Sequence, residues 1–158
     1  MAYTDGRVLI RSKSTAEGAS PAALAVMGGD TVGSTTYGEE IIFPDGAVID
    51  EFGMVVQVTL GTQGTAAPVA SLKTIPRAGG ATATEVATIT PSASTAAGTR
   101  VLSTDTSFPL IVPPGGGITF NVKTAGNADT GDYFLYVYAR NGGSLESTTD
   151  SPTATKAT

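Results

Sequence analysis

The sequence predicts an all-β protein, an antiparallel β-sandwich, and three observations carry that expectation. Ile118, Phe120 and Val122 alternate with Thr119, Asn121 and Lys123, and Met54, Val56, Val58 and Leu60 alternate with Val55, Gln57 and Thr59. This is the period-two pattern of strands that bury one face and wet the other. Turn-forming clusters such as Pro44-Asp45-Gly46 and Pro113-Pro114-Gly115-Gly116-Gly117 punctuate these runs, as hairpin-rich chains require. No long segment carries the 3.6-residue period of an amphipathic helix.

The elements follow in chain order. Arg7 to Arg11 (Arg-Val-Leu-Ile-Arg) is a short strand candidate. Ser12 to Tyr37 is Ser, Ala, Gly and Thr with little to bury. Inside it, Pro21-Ala-Ala-Leu-Ala-Val-Met27 predicts a short helix, capped by Ser20, started by Pro21 and stopped by Gly28-Gly29. Residues 1–37 are therefore expected to form an extended arm that docks on another chain, with Val8, Leu9, Ile10, Leu24, Val26 and Met27 as anchors. The compact domain is expected over 38–142. Glu39 to Phe43 is a strand, Pro44-Asp45-Gly46 turns the chain, Ala47 to Glu51 continues the sheet, and Gly53 to Leu60 is a further strand. Val69 to Ile75 follows a loop. Glu85 to Thr90 and Thr99 to Leu102 are separated by small residues, and Phe108 to Val112 leads through the Pro/Gly corner into the strand at Ile118. The closing strand, Asp132 to Arg140, presents Tyr133, Leu135, Val137 and Ala139 on one face and Phe134, Tyr136, Tyr138 and Arg140 on the other. Neither face is plainly polar, so the strand requires cover on both sides. One face suits the domain's own core, and Phe134, Tyr136 and Tyr138 suit an interface with a neighbouring subunit. Residues 143–158 form a polar Ser/Thr tail. Short strands at short intervals in this order suit a sandwich or a jelly roll.

Composition narrows the function. The chain has 158 residues, 41% of them hydrophobic but only 6% aromatic, and 15% charged. Soluble domains carry roughly 25% charged residues, so this surface is poorly equipped to stay monomeric. The net charge of -5 disfavours a nucleic-acid partner, because affinity for phosphate backbones comes from clustered Lys and Arg. The one local basic group, Arg7, Arg11 and Lys13, suits a solvated strand edge or contact with an acidic neighbour. A charged n-region before an apolar run is missing from the first residues, and no apolar stretch approaches the ~18 residues that span a bilayer. Synthesis in the cytoplasm and no membrane partner are the expectation.

Histidine and cysteine are absent from the sequence. That removes the commonest general base, the strongest side-chain nucleophile and the usual zinc ligands. A carboxylate hydrolase would need two of Glu39, Glu40, Asp45, Asp50 and Glu51 in one cleft, and no Trp accompanies them as a sugar platform. Asn127-Ala-Asp129-Thr-Gly131-Asp132 has the oxygen-rich look of a cation loop, but it lacks the distal Glu of a calcium loop. A turn capped by Asp129 accounts for it better. Gly115-Gly116-Gly117 lacks the Lys and Ser/Thr of a phosphate loop and precedes a strand. Neither a catalytic site, a metal nor a cofactor is expected.

Asp129-Thr-Gly-Asp-Tyr133 resembles the Asp-x-Gly-x-Tyr corner that opens strand F of immunoglobulin-like domains, in which the Tyr hydroxyl bonds back to the backbone. More broadly, Met54 to Leu60, Phe108 to Gly117, and Ile118 to Val122 leading into Tyr133 to Arg140 resemble the small jelly-roll or Ig-like virion proteins of tailed bacteriophages. That resemblance implies a capsid decoration or cement protein, often trimeric, bound to the major capsid protein on the virion surface. A tail or fibre component, or a carbohydrate-binding adhesive module with a calcium loop at Asp129 and Asp132, would share the fold.

Overall fold

The computed structural model describes residues 6–26, 31–32, 35–36, 40–62, 67–76, 83–105, 107–127 and 130–141. They form thirteen strands and no helix: β1 (Val8–Arg11), β2 (Thr15–Ala16), β3 (Ala22–Leu24), β4 (Thr31–Val32), β5 (Thr35–Thr36), β6 (Glu40–Ile42), β7 (Ala47–Val58), β8 (Val69–Ile75), β9 (Thr84–Ile89), β10 (Arg100–Leu102), β11 (Leu110–Val112), β12 (Gly117–Thr124) and β13 (Asp132–Asn141). Two antiparallel sheets pack face to face. The first has the order β1-β13-β7-β10, with β2 beside β1 along β13 and β11 beside β10 along β7. The second has the order β3-β12-β8-β9, with β6 beside β3 along β12. Among the described residues, strands β4 and β5 pair only with each other.

Alternation places the core between the sheets. Tyr133, Leu135, Val137 and Ala139 of β13 and Phe52, Met54 and Val56 of β7 point inward, against Ile118 and Phe120 of β12 and Leu72 of β8. Phe52 and Phe120 stack across the gap with ring centroids 6.4 Å apart, an offset arrangement that adds to plain area burial.

Three sequence expectations change. Ala47–Glu51 and Gly53–Leu60 are parts of one strand, β7, which a bulge carries through Asp50. Opposite β13, Tyr138 pairs with Glu51 and Ala139 with Ile49, so Asp50 is the extra residue. The predicted helix over 21–27 gives β3 instead. An isolated helix this short is marginal, whereas Ala22–Leu24 finds a ladder on the free edge of β12 and Leu24 packs on the core.

The third correction concerns the arm. Residues from Val8 onward are strands of this chain's own sandwich: β1 and β2 pair with β13, and β3 pairs with β12. Ser12 bridges to Val26, and the Lys13 amide donates to the Ala25 carbonyl at 2.7 Å, which joins the edges of the two sheets. Ile10, Leu24 and Val26 are partly buried against the chain's own core. Val8 and Leu9 remain more than half or half exposed, at 57% and 50%. Met27 and the tail over 143–158 lie outside the described residues.

Candidate functional site

The outer side of the first sheet gathers side chains that the core does not use. Cross-strand register builds it row by row: Arg11, Tyr136, Gly53 and Leu102 form one row, and Leu9, Tyr138 and Glu51 the next. Arg140, Val48 and Ile111 lie beyond them, and Phe134, Val55 and Arg100 on the other flank. The three aromatic residues expected at an interface, Phe134, Tyr136 and Tyr138, are therefore brought together on one surface.

Each ring is held. Tyr136 lies over Gly53, where an added Cβ would sit 2.4 Å from ring atoms. Its hydroxyl donates to Glu51 Oε1 at 2.6 Å, and Tyr138 meets it edge-on at 5.6 Å. Burial first, then the hydrogen bond and negative charge of Glu51, push the Tyr136 phenol well above its usual pKa. Arg11 covers Phe134, with its guanidinium carbon 4.5 Å from the ring centroid, a cation–π contact.

The bulge explains the charges. In a regular strand Asp50 and Glu51 would face opposite sides, but the extra residue puts both outside while Ile49 and Phe52 both stay in the core. Asp50 takes a two-pronged contact from Arg140, Nε at 2.7 Å and Nη2 at 2.8 Å, with Arg7 Nε at 3.2 Å. Arg100 Nη1 reaches Glu51 only at 3.5 Å. Arg7, Arg11, Arg100 and Arg140 are four of the chain's five arginines, and all four stand on this face. Sequence reasoning grouped Arg7 with Arg11 and set Arg140 on the outer face of the closing strand; strand pairing and not sequence distance brings the three together and adds Arg100. Leu9, Leu102 and Ile111 flank the group, 50%, 42% and 73% exposed.

Neither a family model nor a curated protein matches the sequence.

The second sheet has a different exterior. Glu40, Thr119, Lys73 and Glu85 lie in one row and Ala23, Asn121, Ser71 and Thr88 in the next. Lys123 pairs with Glu85 at 2.6 Å. Its β9 edge is closed by Asp105, whose carboxylate accepts the Thr88 amide at 2.7 Å, a common guard against stray strand pairing.

The remaining sequence candidates do not converge. Glu40 is on the second sheet, Asp45 is in the turn before β7, and Asp50 and Glu51 are engaged on the first sheet. Glu39 and Asp129 lie outside the described residues. Among the described residues no group of three His, Cys, Asp or Glu is arranged to hold a metal. The carboxylate that sequence reasoning passed over is Glu17, fully buried. Its Oε2 accepts the Gly61 amide at 2.8 Å, its own amide donates to the Gly131 carbonyl and its carbonyl accepts the Gly126 amide. Tyr133, expected as a corner tyrosine bonded to the backbone, instead points its hydroxyl into the core near this carboxylate without a hydrogen-bond partner among the described residues. Burial, and then the charge of Glu17, raise its pKa to about 12.

Proposed function

We propose that the chain is a non-enzymatic virion structural protein, a capsid decoration or cement protein that attaches to assembled shells through the outer side of its first sheet. The observation that carries this reading is the face itself: arginines with the part-exposed Phe134 and Tyr138 at the centre, over a buried Tyr136, and exposed Leu9, Leu102 and Ile111 around them. Tyr, Phe and Arg are the residues enriched at protein interfaces and at their energetic hot spots. The absence of His and Cys from the sequence and the resemblance in style to small phage virion proteins point the same way. On this reading the partners are the major capsid protein and copies of this chain. Each contact made only in the assembled shell stabilises that shell by mass action.

The test is density-gradient sedimentation of lysates from cells that produce the protein with its native particle. The chain should co-band with particles, and Leu9→Asp with Ile111→Asp should release it while its thermal midpoint stays within a few degrees. A chain found only at the top of the gradient, as a free species of 15.8 kDa, would refute the reading.

A further inference from the structure

We propose that the outer side of the first sheet docks on a carboxylate-rich protein surface, with Arg11 and Arg100 as the cations that engage it. The inference deepens the functional reading above and rests on it for the location of the face, but it names the chemistry of the partner. Among the described residues, four guanidinium groups at the centre of this face meet two carboxylates, Asp50 and Glu51, so its centre is cationic while the whole chain has a net charge of -5. The excess is not spread evenly. Asp50 lies between Arg7 and Arg140, whereas Arg11 has a ring beneath it and no carboxylate among the described residues. Arg100, about half exposed, is 3.5 Å from a Glu51 oxygen that Tyr136 already occupies at 2.6 Å. Both guanidiniums thus keep donors for a planar, two-oxygen acceptor, the geometry arginine matches best.

Other occupants fit less well. Stacking of nucleic-acid bases needs open ring faces, but Tyr136 is only 2% exposed and Arg11 covers Phe134. A second copy meeting the same face about a two-fold axis would bring together two surfaces with the same cationic centre. The face is also small. Four strands at about 4.8 Å spacing and some eight residues at about 3.4 Å give roughly 400–500 Å², below the ~800 Å² per partner of a standard stable interface. Single contacts are therefore weak and salt-sensitive, and many copies on a repeating surface gain strength by avidity.

The test uses the full chain, ¹⁵N-labelled, titrated with a soluble poly(Glu,Tyr) copolymer as a generic acidic protein surface, and separately with a (dT)20 oligonucleotide. The expected result is shift changes confined to β1, the outer residues of β7, β10 and β13, and binding that weakens at least tenfold between 50 and 300 mM salt. Arg11→Gln with Arg100→Gln should lose at least another tenfold with an unchanged thermal midpoint, and Arg11→Lys with Arg100→Lys should recover part of it. Shifts on the second sheet, equal or tighter binding of (dT)20, dimerisation through this face, or no binding at millimolar copolymer would each overturn the proposal. A chain that fails here yet still co-bands with particles would leave the particle reading standing and move the attachment to another surface.

Discussion

Gly53 is glycine because Tyr136 occupies the place of its side chain. An added Cβ would meet ring atoms at 2.4 Å, so Gly53→Ala must expel the ring and break its hydrogen bond to Glu51. Overpacking of this kind costs about 1–3 kcal/mol, read as a lower urea midpoint at unchanged slope. The same variant should return the Tyr136 phenol toward its ordinary titration range, visible in an ultraviolet pH titration. Tyr133 gives a second prediction, with an opposite sign for stability. Its hydroxyl is buried without a partner among the described residues, and an unsatisfied buried hydroxyl costs about 1–3 kcal/mol, so Tyr133→Phe should hold or raise stability at neutral pH. The pH dependence follows from its pKa, raised to about 12 in the folded chain from about 10 in an unfolded one. Between those values the unfolded chain loses a proton that the folded chain keeps, so stability falls as pH rises through this window. Urea unfolding from pH 9 to 12 should show that fall in the wild type and a shallower one in Tyr133→Phe, while an identical slope in the two would remove Tyr133 as its source.

At the scale of elements, period-two alternation made the strands legible where neighbours in sequence are also neighbours on a face. Val69–Ile75 is found where the sequence places it, and β12 and β13 within a residue or two. It misled where the ladder supplies something that alternation does not encode. The bulge at Asp50 joins two expected strands and turns adjacent acids to one side, and β3 is extended because an edge of β12 is free to receive it. Likewise the arginine cluster depends on pairing between strands far apart in the chain. Glu17 was invisible for the same reason, since its partners come from the 61, 126 and 131 regions. This suggests a test at the level of the loops it ties together. Glu17→Ala should cost about 2–4 kcal/mol, from the lost acceptor and the cavity left behind, and should speed hydrogen exchange at the Gly61 amide. Glu17→Gln keeps an acceptor for that amide and should stay within about 1 kcal/mol of wild type.

For the whole molecule, the decisive question is whether the N-terminal strands are structure or attachment. Strands β1, β2 and β3 cover one edge of β13 and one edge of β12, and these are the strands that carry Tyr133, Leu135, Ile118 and Phe120 into the core. The Ser12 hydroxyl accepts the Leu135 amide at 3.0 Å and the Ser12 amide donates to the Leu135 carbonyl at 2.8 Å, so the junction continues the ladder directly above the core. Removing residues 1–26 would bare the β13 edge and the Phe120–Val122 stretch of the β12 edge, leaving β6 on the rest of β12, and apolar edges without a partner recruit other chains. The full chain is expected to unfold in urea as one cooperative transition, because a single core joins both sheets. The truncated chain should lose that transition and aggregate, with its losses spread over β12 and β13 in hydrogen exchange. Should the truncated protein stay soluble with the same midpoint, the first strands would be peripheral to stability, and their role would return to binding a neighbour.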